Sequence, residues 1–389
     1  VDTIGDVYSI YEKHGFYSVP ITEDGTPQGR LLGFVGHKEV RYKKESPKIS
    51  LSEVMVPREH LVTAHRKDTM DLPNVKAGIK VVNAIIAERN TNTLIVIDDE
   101  DRPVALVTDR DLRLHERYPS ASVDNNKQLY GFLAIGGAWH DKKRRELEEH
   151  RIYEAQKAGV DCLIIDQGVV YASQTEIARY IKEHYPEIQV GVGNVCDGDL
   201  VKELVETTGK YIDMIKVGVG PGGACITQQE LGVGRAQPSA VYECAESLKP
   251  LRSKYGNIAL VADGGVKSAA DITKLLALGA DAVMMGQALA VVKESPGSAE
   301  NKGGGLTKRF RGMGSREAME AGGITRYSST GKEEVIVPEG IAKDVPYVGP
   351  GEPYVVLLRE AVKQSMNKQG FRTIKELQEG CKIRPDPRR

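Results

Sequence analysis

The feature that most constrains this chain is an alternation of short apolar runs with longer amphipathic helical patterns over its last two thirds. The apolar runs fall at 129–135, 162–165, 189–192, 214–217, 258–262 and 282–285. Helical patterns such as 142–158, 174–183 and 269–278 lie between them. Repeated strand–helix units of this size call for a parallel sheet covered by helices. Six units are counted here; a (β/α)8 barrel needs about eight and a doubly wound sheet no more than the six. The residues that end the strands favour the barrel. They are Gly136-Gly137, Asp166-Gln167-Gly168, Gly193-Asn194, Gly218 to Gly223, Asp263-Gly264-Gly265 and Gly286. In a barrel all of these share one rim, where the active site belongs. Glycines there let backbone N–H groups approach a phosphate closely. The expected fold is therefore α/β, a (β/α)8 barrel whose first two strands are absent from this chain.

Residues 1–125 follow a different grammar, read as a regulatory domain ahead of a catalytic barrel at 126–389. Ser18 to Ile21, Glu23-Asp24-Gly25 and Leu31 to Val35 read as strand, turn, strand. The same order returns at Thr93 to Ile97, Asp98 to Asp101 and Val104 to Val107, and each hairpin follows a helical pattern, at 6–14 and 77–89. Thr108-Asp109-Arg110-Asp111-Leu112 closes the second copy. This diverged repeat resembles a pair of CBS motifs, a Bateman module, which implies a purine nucleotide effector held in part by Thr108 and Asp111. The competing reading of Asp111 is a helix cap. The formal charge of −1 gives no electrostatic reason to expect nucleic acid or an anionic membrane. No apolar run is long enough to span a bilayer, and no leader pattern opens the chain. Five cysteines with no C-x-x-C pair fit a reducing, cytoplasmic setting rather than a disulfide or zinc framework.

Cysteine also marks the chemistry. Cys162 in an apolar run and Cys244 in a helical pattern read as inert, buried groups. Cys225 differs, because it follows Gly218-Val219-Gly220-Pro221-Gly222-Gly223-Ala224 on the rim. A thiol among oriented backbone dipoles, outside any strand, is placed to react as a thiolate nucleophile.

This loop resembles the catalytic loop of the inosine monophosphate dehydrogenase and guanosine monophosphate reductase family. The match continues through Gly232-Val233-Gly234-Arg235-Ala236-Gln237, Ala262 to Gly265, Met284-Met285-Gly286, Arg311 to Ser315 and Val337 to Gly340. The resemblance implies a TIM barrel, a homotetramer, IMP and XMP as substrate and product, and NAD and K+ as cofactors. It implies that Cys225 attacks C2 of the purine with Thr227 assisting proton handling. Asp263 would hold the nucleotide ribose. Gly223, Gly264, Gly265, Gly286 and Gln287 would surround the 5′-phosphate, Met313 and Gly314 would meet the base, and Gly312 and Glu339 would also bind the substrate. Asp166, Gly218 and Gly220 would meet the dinucleotide, and backbone carbonyls of Gly220, Gly222 and Cys225 the cation. Arg326 and Tyr327, on a flap at about 310–345, would activate the water that hydrolyses the covalent intermediate. That pair, with Pro338-Glu339-Gly340 and Gly312 to Ser315, favours the dehydrogenase over the alternative, an NADPH-dependent reductive deamination of GMP. A nucleotide sensor with weak catalysis, or an unrelated phosphate-binding barrel enzyme, are the other classes. The sequence departs from the family's pattern at Gly223, where Ser is frequent, at Phe310, where Tyr is, and at Gln287, where a small Ser is usual. Gln167 to Val170 likewise replaces the familiar run after Asp166.

Overall fold

In the computed structural model, residues 3–382 are described apart from 15, 42–45, 74, 110, 114–117, 119–120, 125–127, 138, 140, 168–171 and 322–336. Contacts divide the chain into two compact units, Val1–Val123 and Asp124–Arg389.

The first unit holds two three-stranded sheets. One contains β1 (Val19–Thr22), β2 (Leu31–Val35) and β3 (Val56–Pro57); the other contains β4 (Thr63–His65), β5 (Thr93–Ile97) and β6 (Pro103–Thr108). Both repeated hairpins form, β1 antiparallel to β2 and β5 antiparallel to β6. Helices Ile4–His14 and Val75–Glu88 precede them. The two sheets share an apolar cluster of Leu31, Phe34, Ile95 and Ile97. Arg58 adds an ion pair to Asp101 at 2.7 Å, and the Leu31 N–H donates to the Asp101 carbonyl at 2.9 Å.

The second unit is built on six parallel strands in sequential order. They are β7 (Phe132–Ile135), β8 (Cys162–Asp166), β9 (Gln189–Val195), β10 (Met214–Val217), β11 (Ala259–Asp263) and β12 (Ala282–Met284). Among the described residues β7 and β12 are the two edges. The strands read as continuous apolar runs because both faces are covered. Leu163, Ile165, Val190, Val192, Ile215, Val217, Leu260 and Ala262 point to the face packed by helices. Cys162, Ile164, Met214, Val261 and Met284 form a separate cluster on the other. The helices that cover the first face include Lys142–Lys157, Ala172–His184, Gly198–Thr208, Gln237–Leu248 and Ala269–Ala277. Asp141, Asp197 and Ser268 cap three of them by accepting from backbone N–H groups of their first turns.

Two features differ from the sequence expectation. The first strand is shorter, since Leu129 and Tyr130 lie outside β7 and are exposed. The ends of the expected flap are ordered sheet. β14 (Leu306–Arg311) pairs antiparallel with both β13 (Glu300–Asn301) and β15 (Ala342–Pro346). Residues 310–311 and 342–345 thus belong to paired strands. Their alternation is masked in sequence by charge, as Lys308 on β14 is buried and donates to the carbonyl of Val292 at 2.9 Å.

Candidate active site

β10 ends at Val217, and the chain then runs through the glycine-rich loop to Cys225. Gly218 is required by crowding: its φ is +146°, and an added Cβ would lie 2.1 Å from the Asp263 carbonyl oxygen. The loop is fixed at its far end by a segment more than a hundred residues away. The Ile226 N–H donates to the Glu339 carbonyl at 2.8 Å, and the Ile341 N–H to the Ala224 carbonyl at 2.9 Å. A Cβ at Gly312 would come within 2.6 Å of the same Ala224 oxygen. Three motifs remote in sequence thereby pack against one another at backbone distance.

The result is a cavity of about 290 Å3 lined by Cys225 and by most residues expected from the sequence. Gly222, Gly223, Cys225, Asp263, Gly264, Gly265, Gly286, Gln287, Gly312, Met313, Gly314 and Glu339 all face it. Thr227 joins through its hydroxyl, which lies 3.1 Å from Cys225 Sγ and donates to Glu339 Oε2 at 2.8 Å. A hydroxyl has one proton to give, and a carboxylate only accepts. With that proton on Glu339, the Thr227 oxygen is left to accept from the thiol. The three side chains therefore form a directional path from sulfur to carboxylate.

The other cysteines behave differently. Cys162 and Cys244 are buried, and loss of solvation is the main force pushing each thiol up to about 12. Cys225 is only partly buried and opens on the cavity.

The far end of the cavity holds the sequence departures. A Cβ at Gly223 would stand 1.9 Å from Gln287 Oε1. A side chain at 223 would therefore require the flexible end of Gln287 to move aside. Gln287 Oε1 is buried without a hydrogen-bond partner. Lys267, Phe310 and Arg311 line the same cavity, and Lys343 donates to the Gly223 carbonyl. These cations were missed in sequence because each reads as an ordinary surface charge; only the pairing of β14 with β15 brings Arg311 and Lys343 here.

Asp166, Gly218 and Gly220 do not line the cavity. Asp166 ends β8 and meets Lys216 of β10 at 3.0 Å. Beside it, Gln167 Oε1 is buried and unpartnered. Arg326 and Tyr327 fall outside the described residues, as does the run 168–170. Among the described residues no group of three or more His, Cys, Asp or Glu side chains is placed to hold a metal. Thr108 and Asp111 of the first unit bond to each other, hydroxyl to carboxylate at 2.6 Å, and the Thr108 N–H donates to the same oxygen at 2.9 Å.

The model of one protein family, described as the IMP dehydrogenase / GMP reductase domain, matches residues 37–385. The chain belongs to that family. Among the relatives of this IMP dehydrogenase / GMP reductase chain is the inosine-5'-monophosphate dehydrogenase of Schizosaccharomyces pombe, 34% identical over 97% of the chain and 68% of the relative. Its namesake in Chlorobaculum tepidum is 33% identical over 98% and 73%. That of Toxoplasma gondii is 35% identical over 82% of the chain and 54% of the relative, so the chain spans only part of the length of these proteins. A solved structure of Trypanosoma brucei GMP reductase, a C318A variant in complex with guanosine 5'-monophosphate, superposes with a TM-score of 0.76 at 23% identity. The likeness covers 97% of this chain and 74% of that one, and it shows the fold. Among the described residues no helix is long and apolar enough to cross a membrane.

Proposed function

We propose that the second unit is the catalytic barrel of an IMP dehydrogenase, oxidising IMP to XMP with NAD through a covalent adduct on Cys225. The observation that carries this reading is the path Cys225–Thr227–Glu339, with links of 3.1 and 2.8 Å, opening on a cavity that also holds Asp263. Glu339 takes the thiol proton through Thr227, and the thiolate adds to C2 of the purine. C2 becomes tetrahedral, and its hydrogen leaves with the bonding pair as hydride. NAD supplies the acceptor for that hydride. Water then adds to the resulting thioimidate, the C–S bond breaks, and XMP leaves while Cys225 recovers a proton. That proton comes back from Glu339 through Thr227 as the C–S bond breaks. Arg326 and Tyr327 keep the water-activating role that the family resemblance implies for them.

Asp263 accepts from the nucleotide ribose, and Gly265, Gly286 and Gln287 surround the phosphate with Lys267 and Arg311 near. The buried Gln167 oxygen beside Asp166 suits a donor on the dinucleotide. The carbonyls of Gly220, Gly222 and Cys225 are oxygen donors of the kind a K+ ion takes, and among the described residues no thiolate or imidazole cluster offers a site for a softer metal. The first unit is read as a CBS pair with a purine nucleotide effector, in a homotetrameric, cytoplasmic protein.

The GMP-bound reductase among the solved likenesses supports a second reading, reductive deamination of GMP with NADPH at the same cysteine. Paired absorbance assays separate the two. Reduction of NAD by IMP in the presence of K+, slowed strongly in Arg326→Ala, is the expected result. NADPH oxidation with GMP, and no turnover of IMP, would make the chain a reductase.

A further inference from the structure

Lys216 is 3% exposed, at the carboxyl end of β10. It shares a sheet face with Met214 and with the small cluster that includes Cys162, Ile164 and Val261. Its ammonium lies 2.7 Å from Asp263 Oδ2 and 3.0 Å from Asp166 Oδ1, and it also donates to Asn194 Oδ1. A buried ammonium is tolerable only with such partners: this one donates hydrogen bonds to Asp263 and Asn194 and is paired in charge with Asp166. Asn194 in turn donates to the Gly218 carbonyl at 2.6 Å, at the root of the cysteine loop.

Reaching Asp166 means crossing β9, and the sequence provides for that. Gly193 stands opposite both Asp166 on β8 and Lys216 on β10. A Cβ there would lie 2.8 Å from Lys216 Cβ and 2.7 Å from its carbonyl oxygen. Gly193 thus leaves a notch through which side chains of β8 and β10 meet.

We infer that Lys216 is a positioning residue shared by the two halves of the site. One buried ammonium fixes the carboxylate that holds the nucleotide ribose, Asp263, and the one that holds the dinucleotide ribose, Asp166. The inference rests on the proposed function for those two sugar roles. Loss of the ammonium therefore weakens both ligands together, whereas loss of either aspartate alone weakens chiefly its own.

The test measures binding in the Cys225→Ala background, so that no chemistry follows. IMP and NAD are titrated separately against Lys216, Lys216→Met, Lys216→Arg and Gly193→Ala, with thermal melting of each. Lys216→Met is expected to weaken both ligands by about tenfold or more, the scale of a lost charge-assisted hydrogen bond. Lys216→Arg should recover most of both, and Gly193→Ala should produce smaller parallel losses. Unchanged binding in Lys216→Met, or loss on one side only, would overturn the inference and leave the function standing. If the Lys216 parent binds neither ligand, the functional reading falls and this one with it. Should Lys216→Met fail to fold, Gly193→Ala decides: parallel losses support the inference, and one-sided or absent losses overturn it.

Discussion

The rim of the second unit and the hairpin end of the first contain the same kinds of side chain but use them differently. At Thr227, a hydroxyl is bonded to a carboxylate 112 positions away and to a thiol two positions away. At Thr108, a hydroxyl is bonded to Asp111, three positions on, and the same oxygen of Asp111 also caps the Thr108 N–H. One arrangement gathers distant motifs around an open cavity. The other satisfies itself within a single turn, as an ordinary helix start does. The lesson is that a threonine–carboxylate pair has chemical meaning when long-range packing aims it at a third group, and structural meaning when its partners are local.

The largest effect that can break this contrast is expected at Glu339. Glu339→Gln and Thr227→Val should each lower kcat by about a hundredfold, the usual worth of a general base. The double variant should be little worse than either single one, because both act on one proton path. Additive losses in steady-state kinetics would mean that the two side chains work separately.

A smaller effect is expected at the far end of the cavity. Gly223→Ser alone should raise KM for the nucleotide by about threefold, the scale of a displaced rotamer, because the flexible end of Gln287 can move aside. Adding Gln287→Ser should relieve that loss, and a double variant as poor as the single one would show that Gln287 is not what the new side chain meets. The cysteines sharpen the contrast by reactivity. Iodoacetamide at pH 8 should label Cys225 in the native chain and spare Cys162 and Cys244, whose thiols are held up to about 12 by burial. The sign for stability follows: unfolded thiols ionise from about pH 8.5. The native state therefore holds more protons above that pH and loses stability as pH rises toward about 12. The smallest effect belongs to the first unit. Thr108→Val should cost about 1 kcal/mol in thermal unfolding, the usual worth of a helix cap, with basal turnover unchanged. A fall in turnover would show that this local pair is not merely structural.

The contrast also explains how much was legible in the sequence. The six strands were readable because strands buried on both faces are written as unbroken apolar runs, as in Cys162 to Ile165. The site was readable where a residue type is unusual for its place, as with Cys225 after the four glycines of Gly218 to Gly223 or Asp263 at a strand end. Lys216 was not, because a lysine inside Met214 to Val217 carries no mark of its burial; its partners lie on three other strands. β14 and β15 were hidden for a related reason. Their alternation is carried by charged residues such as Lys308, whose ammonium is satisfied by carbonyls that only the fold brings near. Gly223 and Gln287 each looked like a separate departure, and only the fold shows that the two positions are neighbours.

The claim on which the rest depends is that Cys225 bonds to the purine. Acid quenching of the full chain during turnover with IMP and NAD, followed by mass spectrometry of its peptides, measures this directly. The expected result is a nucleotide adduct on the peptide containing Cys225, absent without NAD and absent in Cys225→Ala. Turnover with no adduct on that peptide, or turnover that survives Cys225→Ala, would contradict it.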